Sequence, residues 1–246
     1  MQRADVTLLE ELNFNAWPAL RTTHYDGWLL RCTGGDSRRV NSVNSLTPGV
    51  LPLDEKIAAA KSIYEHWGRK AIFRLTPLAD QGLEEILVAR GYALDAPTFV
   101  QFAEAKAYQP MVDVQIVDRV DENWIGAALH IRALAAAPGE IFAAQHRAVG
   151  VDSRWALVRE GDRAVAVGAV AIERGWAGLH GIYVATGARR RGLARAVSEA
   201  LISCAYDQGA RRVWLQVEQN NAAALPLYDS LGFQSAYTYH YRIHPG

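Results

Sequence analysis

Three consecutive arginines, Arg189, Arg190 and Arg191, lead straight into Gly192, Leu193 and Ala194. The hexad follows an apolar run, Gly181-Ile182-Tyr183-Val184, and opens a segment whose Leu193, Val197, Ala200, Leu201 and Cys204 recur at helical spacing. A loop of this kind turns several backbone N–H groups toward one point before a helix. Unsatisfied amides and the helix dipole both favour an anion there. Gly192 lets the backbone come close to a ligand, and Ala194 keeps the next contact small. The arginines add a positive field suited to a polyanion. Taken alone, the stretch reads equally well as a solvated basic helix start.

A second pattern follows roughly thirty residues later. Arg212-Val213-Trp214-Leu215-Gln216-Val217 reads as a buried strand, and Asn221, Ala224, Tyr228, Gly232 and Phe233 come after it at fixed spacing. The two segments together resemble the GNAT superfamily of acyl-CoA N-acyltransferases. The first is similar to its pyrophosphate motif, Arg/Gln-x-x-Gly-x-Gly/Ala, and the second to its Asn-x-x-Ala-x-x-x-Tyr-x-x-x-Gly-Phe signature. The resemblance covers residues 113–246.

It implies acetyl transfer from acetyl-CoA to an amine, with Arg189, Arg190, Arg191, Gly192, Leu193 and Ala194 gripping the diphosphate. Ile182 and Val184 would lie on the strand beside the thioester, the Val184 amide contacting its carbonyl. Asn221 would hold the cofactor arm or cap the next helix, and Asn is a favoured cap. Tyr228 would protonate the leaving thiolate, though its spacing also suits a core tyrosine. An amine is mostly protonated at neutral pH, so the site needs a base or a water path to one. Strand alternation puts His180, Ile182 and Val184 on one face, which makes His180 the first candidate base. A histidine bonded within the sheet is an equal reading. Glu218 and Glu173 are further candidates, more often solvated strand-end charges. His130 and His146 read as surface or pocket-lining residues.

The elements that must hold these residues follow from the same patterning. A strand at 114–117 precedes a helix over 123–137, ended by Pro138-Gly139, and a short helix over 141–149. Strands at 155–159, 164–172 and 176–184 are joined by turns at Gly161-Asp162 and Arg174-Gly175. Then come the arginine-led helix, the strand to Val217, a short helix from Ala222 and a strand at 237–243. That order, three antiparallel strands and then helix, strand, helix, strand, is the one expected of the GNAT fold. The resemblance adds the splayed central strands.

The chain also matches itself at an offset of 141 residues: Gly68-Arg69-Lys70-Ala71-Ile72-Phe73 with Gly209-Ala210-Arg211-Arg212-Val213-Trp214, and Gly91-Tyr92 with Gly232-Phe233. The first copy has Pro48-Gly49-Val50-Leu51-Pro52-Leu53 in place of the arginine hexad, and Asp80 and Leu87 in place of Asn221 and Tyr228. Two prolines remove two donors from such a cradle. We therefore expect an α+β protein of two tandem GNAT-like domains. Residues 1–108 would be a degenerate copy and residues 113–246 the catalytic domain, with a linker near Ala105–Asp113. The polar run Asn41-Ser42-Val43-Asn44-Ser45 reads as an edge strand or turn, with acceptor contacts as the competing reading. Trp28 and Trp67 read as core.

Composition narrows the class further. The 246 residues carry 26 basic and 26 acidic side chains, a balance unlike that of nucleic-acid binders. Cys32 and Cys204 are too few and too far apart for a metal site or a disulfide framework, and Cys204 reads as a core thiol. Neither a signal peptide nor a membrane span is apparent, so a cytoplasmic enzyme is expected, with acetyl-CoA as co-substrate and no metal. The acceptor, a small-molecule amine or a peptide, is not specified, and homodimerisation stays open. A non-catalytic acyl-CoA sensor of the same fold is the alternative.

Overall fold

The computed structural model describes residues 2–244. Two compact units emerge, and each is discontinuous in sequence. One comprises the described residues of Met1–Val100, Val217–Asn221 and Ser235–Gly246; the other comprises Gln101–Gln216 and Ala222–Gln234.

The first unit opens with α1 (Arg3–Ala16) and the hairpin β1 (Arg21–Tyr25) to β2 (Trp28–Cys32). Asp26 and Gly27 turn that hairpin with φ of 42° and 82°, the left-handed pair a two-residue turn requires. Next come β3 (Val43–Ser45), α2 (Leu53–His66), β4 (Ile72–Leu75), α3 (Leu83–Ala89) and β5 (Ala93–Glu104), which begins in this unit. Trp28, Leu30, Val43, Ile57, Tyr64, Phe73 and Leu87 form its core. Trp67 packs half-buried on the rim of that cluster.

A charged network is also buried here. Arg74 pairs with Glu10 through two hydrogen bonds. The Tyr237 hydroxyl donates to the same carboxylate at 2.6 Å. The Arg74 guanidinium lies 3.7 Å from the centre of the Tyr239 ring.

The second unit takes β6 (Gln115–Val117), α4 (Glu122–Arg132), α5 (Ala136–Arg147), β7 (Asp152–Glu160), β8 (Arg163–Glu173), β9 (Trp176–Val184), α6 (Leu193–Asp207), most of β10 (Arg212–Glu218) and α7 (Leu225–Ser230). β6, β7, β8 and β9 are antiparallel neighbours in that order, and β10 joins β9 in parallel. β8 is buried from Ala164 to Ala171, so both of its faces are covered, and α4 and α6 pack against it. Arg174 and Gly175, with φ of 52° and 75°, make the expected tight turn between β8 and β9.

Both copies run strand, strand, strand, helix, strand, helix, strand, the succession expected from the sequence repeat, with α2 answering to α6 and α3 to α7. Three expectations need correction, and one strand of the second copy lies mostly in the first compact unit. The last strand, β11 (Gln234–Ile243), pairs antiparallel with β4 from His240↔Leu75 to Ile243↔Ile72. Most of it therefore belongs to the first unit, and a single cut near residue 110 does not separate the compact bodies. Pro138 ends no helix. It sits in the first turn of α5, where a missing N–H costs nothing, and α4 stops earlier, at Ala133 with φ of 50°. The polar run at 41–45 is no edge strand, because β3 lies between β2 and β4. Asn41 is buried there, its amide bonded to the Thr33 and Gly34 N–H groups and to the Gly34 and Ser37 carbonyls. Cys204 is only half-buried, since the covered stripe of α6 turns from Leu201 to Ala205.

Removing one partner of a buried ion pair costs more than removing both. Arg74→Met strands the Glu10 carboxylate and should lower stability by about 3–5 kcal/mol, whereas the double variant Glu10→Leu, Arg74→Met should lose far less. Urea unfolding of the three proteins measures this, and equal losses in single and double variants would contradict it.

Candidate functional site

The second unit brings together an open sheet, an anion cradle and a pair of buried histidines. The β9–β10 ladder is short: it joins Arg212, Val213 and Trp214 to Trp176, Ala177 and Gly178 and then stops. The Trp214 ring closes over Gly178, where an added Cβ would lie 2.5 Å from the indole. Beyond that point β9 continues through Leu179–Val184 without β10 as a partner. The opening lies where the resemblance calls for splayed strands.

In this open stretch β9 also bulges. Its pairing with β8 slips between Ala169↔His180 and Val167↔Tyr183, and Gly181 takes a φ of 62°. The extra residue overturns the simple alternation expected of His180, Ile182 and Val184. Ile182 packs toward α6, since a Cβ on Gly168 would meet Ile182 Cδ1 and Val197 Cγ1 at 2.6 Å each. His180 turns instead toward α5, its ring stacked on that of His146 at 6.0 Å. Tyr183 shares that side, beneath Arg132 at the end of α4. An isolated glycine inside a strand pattern was the signal for the bulge.

The arginine loop stands just past β9. Arg190 and Gly192 have φ of 64° and 79°, and Gly192 is the N-cap of α6. The Gly192 carbonyl accepts from the Ala196 N–H at 3.0 Å. Among the described residues no acceptor takes the N–H groups of residues 190–195. Two arginine side chains are spent elsewhere: Arg191 pairs with Glu160 at 2.7 Å, and Arg189 Nε reaches the Val184 carbonyl at 3.4 Å. The amides, more than the three charges, are what would favour an anion here.

The aligned loop of the first unit is closed. The Asp26 carboxylate accepts the Val50 and Leu51 N–H groups at 2.9 Å each, and Lys56 lies 3.6 Å from it. Those amides, then Lys56, hold the Asp26 carboxyl below its ordinary range. Proline counting in the sequence finds the loss of donors. It does not find that the remaining donors are taken by an internal carboxylate.

The acid–base candidates sit in different settings. Tyr228 is buried in α7, edge-on to Phe233 at 5.6 Å, and burial pushes its hydroxyl up to about 12. It therefore keeps its proton at neutral pH. His180 is buried, and its Nδ1 donates to the Gly178 carbonyl at 3.2 Å, with Nε2 as its other ring nitrogen. Glu173 ends β8, paired with Arg174 at 3.1 Å. Glu218 ends β10, exposed, and its carbonyl accepts the Asn221 N–H at 3.0 Å; both residues fall in the first unit. The N-cap position of α7 is Ala224, so Asn221 lies before the helix it was expected to cap. His130 is exposed, as expected. His146 is not: it is 2% exposed. Among the described residues no group of three or more His, Cys, Asp or Glu could hold a metal ion, and no helix is long and apolar enough to cross a membrane.

His146 carries a pH signature. Burial first, then His180 and Arg132, push its imidazole well below the ordinary 6.5. The unfolded chain titrates at the ordinary value, so below about pH 6.5 the unfolded state binds more protons and gains on the folded one. Stability should be fully present above that pH. It should fall by up to about 1.4 kcal/mol per pH unit on acidification. Urea midpoints between about pH 7.5 and 5.5 should show the slope in the wild type and a flatter one in His146→Phe.

Comparison with known proteins agrees with this geometry. The family model "Probable histone acetyltransferase Rv0428c C-terminal" matches residues 3–242. The uncharacterized N-acetyltransferase YobR of Bacillus subtilis is 25% identical over 253 residues, covering 97% of this chain and 98% of that protein. A GCN5-related N-acetyltransferase from Kribbella flavida has a TM-score of 0.71 at 20% identity, covering 99% of this chain and 95% of that one. A tandem GNAT protein from the clavulanic acid biosynthesis pathway has a TM-score of 0.62 at 12% identity, with 83% and 76% covered. The chain has the GNAT fold and belongs to the family of the probable histone acetyltransferase Rv0428c C-terminal model, acetyltransferases of the GNAT type.

Proposed function

We propose that this protein transfers the acetyl group of acetyl-CoA to an amine, with residues 113–246 as the catalytic domain and residues 1–108 as a copy that no longer binds the donor. One observation carries the reading. The N–H groups of residues 190–195 meet no acceptor within the described protein, whereas the equivalent Val50 and Leu51 amides are filled by Asp26. A nest with φ > 0 at Arg190 and Gly192, whose amides no protein group accepts, suits a diphosphate; one held by a carboxylate does not.

In this reading Arg189–Ala194 grip the diphosphate, and Ile182 and Val184 lie along the thioester, where β9 has parted from β10. The Val184 N–H polarises the carbonyl. His180 Nε2, directly or through a water, takes the proton from the ammonium of the acceptor. The freed amine nitrogen attacks the carbonyl carbon and a C–N bond forms; the C–S bond then breaks, and the second proton shed by that nitrogen passes by way of water to the departing thiolate, giving the amide and the free thiol. Tyr228 lies above the ordinary thiol range near 8.5, so full proton transfer to the thiolate is uphill. It acts best as a hydrogen-bond donor that moves with the departing sulfur. Glu218 is the alternative base and Asn221 steadies the cofactor arm; both rest on the family resemblance. The acceptor is a small amine or a peptide, and a cytoplasmic setting would supply the donor. The alternative is an acyl-CoA sensor, which would bind without releasing thiol.

Titration calorimetry should find one acetyl-CoA per chain. Gly192→Val forces a branched side chain into a φ of 79° and should weaken binding at least tenfold. Unchanged affinity, or two sites per chain, would defeat the site assignment. Tyr228→Phe should lower kcat by about 100-fold or more in a thiol-release assay, while acetyl-CoA affinity stays near wild type. Absence of thiol release with every amine tested would favour the sensor.

A further inference from the structure

The α4–α5 side of β9 holds a cation that the chemistry above does not use. Arg132 ends α4, its guanidinium carbon 4.7 Å from the centre of the Phe142 ring and 4.5 Å from that of Tyr183. The two rings fix the plane of the fork. Among the described residues Arg132 makes no hydrogen bond and no ion pair. Other arginines of the same unit do find carboxylates: Arg147 meets Glu122 at 2.5 Å, Arg191 meets Glu160 at 2.7 Å and Arg195 meets Glu199 at 3.2 Å. Arg132 is thus oriented by stacking, while its N–H edges stay unspent.

Its place matters as much as its state. Tyr183 lies between Ile182 and Val184, in the stretch of β9 that β10 has left. Arg132 is also close enough to His146 to help keep that ring neutral, and His146 stacks on His180. An incoming ammonium alone would be repelled by this guanidinium. An ammonium that brings its own carboxylate would not be, and a planar fork recognises a carboxylate bidentately.

Resting on the acetyltransferase reading, we propose that Arg132 is a specificity-determining residue that binds a carboxylate of the acceptor, so that the acceptor class is amines carrying a carboxylate. A packing role for the stacked side chain is the competing account. It predicts equal effects on all acceptors.

The test is steady-state thiol release with saturating acetyl-CoA. An equimolar mixture of free amino acids is compared with a mixture of their carboxamides, and KM and kcat are then measured on the best member of each. A C-terminally amidated peptide with an acidic side chain forms a third arm and separates a side-chain carboxylate from an α-carboxylate. Arg132→Gln should raise KM for the carboxylate acceptor roughly 10- to 100-fold with kcat within about threefold, and should leave the carboxamide within about twofold. Arg132→Lys, which keeps the charge and loses the fork, should fall between. It is also the variant to read if Arg132→Gln shows a lowered unfolding midpoint. Equal changes for carboxylate and carboxamide, or wild-type turnover of carboxamides alone, would overturn the role of Arg132 and leave the acetyltransferase reading standing. No thiol release with any acceptor would overturn both.

Discussion

The site depends on one constraint: β9 cannot follow β10 past Trp214. The indole over Gly178 closes the ladder, and the bulge at Gly181 then turns the remaining residues of β9. Backbone that would have been spent on sheet pairing becomes available to a substrate. Beside β8, which is covered on both faces, such an edge costs stability unless something fills it. In the proposed reading, this is where an acetyl thioester would find both a cleft and donors. The tight contacts at Gly178 and Gly168 allow no Cβ, so the two glycines set the approach of Trp214 on one strand and of Ile182 on the other.

The two copies show how the same succession of elements can leave its loop amides open or close them. Both place a helix start after a strand and a loop. In the second unit the loop amides are left open, and in the first the hairpin turn at Asp26-Gly27 sends a carboxylate into them. The carboxylate stands where a phosphate oxygen would, held by the same amides and neighboured by Lys56. One acidic side chain makes a structural bond that ties the β1–β2 turn to the entry of α2.

Much of this was legible in the sequence, for identifiable reasons. The strands of the second unit alternate or run apolar, their turns carry left-handed residues, and the cradle is marked by an arginine run against a glycine. These are local signals. What stayed hidden was non-local. The pairing of β11 with β4 depends on strands more than 160 residues apart, and no periodicity records it. The burial of Asn41 and Asn44 reads as polarity at an edge, because sequence does not say that the Asn41 amide and the Asn44 Nδ2 group bond to neighbouring backbone. His180 was placed on the wrong face because one inserted residue reverses every later side chain, a consequence of the two-residue period itself.

The reversal changes the chemistry that the α4–α5 side can offer. With regular alternation His180 would share the α6 side with Ile182, away from α5. The bulge instead gathers His180, Tyr183, His146 and Arg132 on one side of β9, while Ile182 packs with Val197 and Leu201 of α6. One side of the strand is thus apolar and structural, and the other carries two imidazoles, a phenol and a stacked guanidinium. The Trp155 indole donates to His146 Nδ1 at 3.2 Å and the Gly178 carbonyl accepts from His180 Nδ1, so the protein fixes both tautomers from outside the pair. A histidine whose Nδ1 is held by the backbone of its own strand is aligned by the same short ladder that opens the cleft. Register, bulge and proton position are therefore consequences of one local packing decision around Gly178.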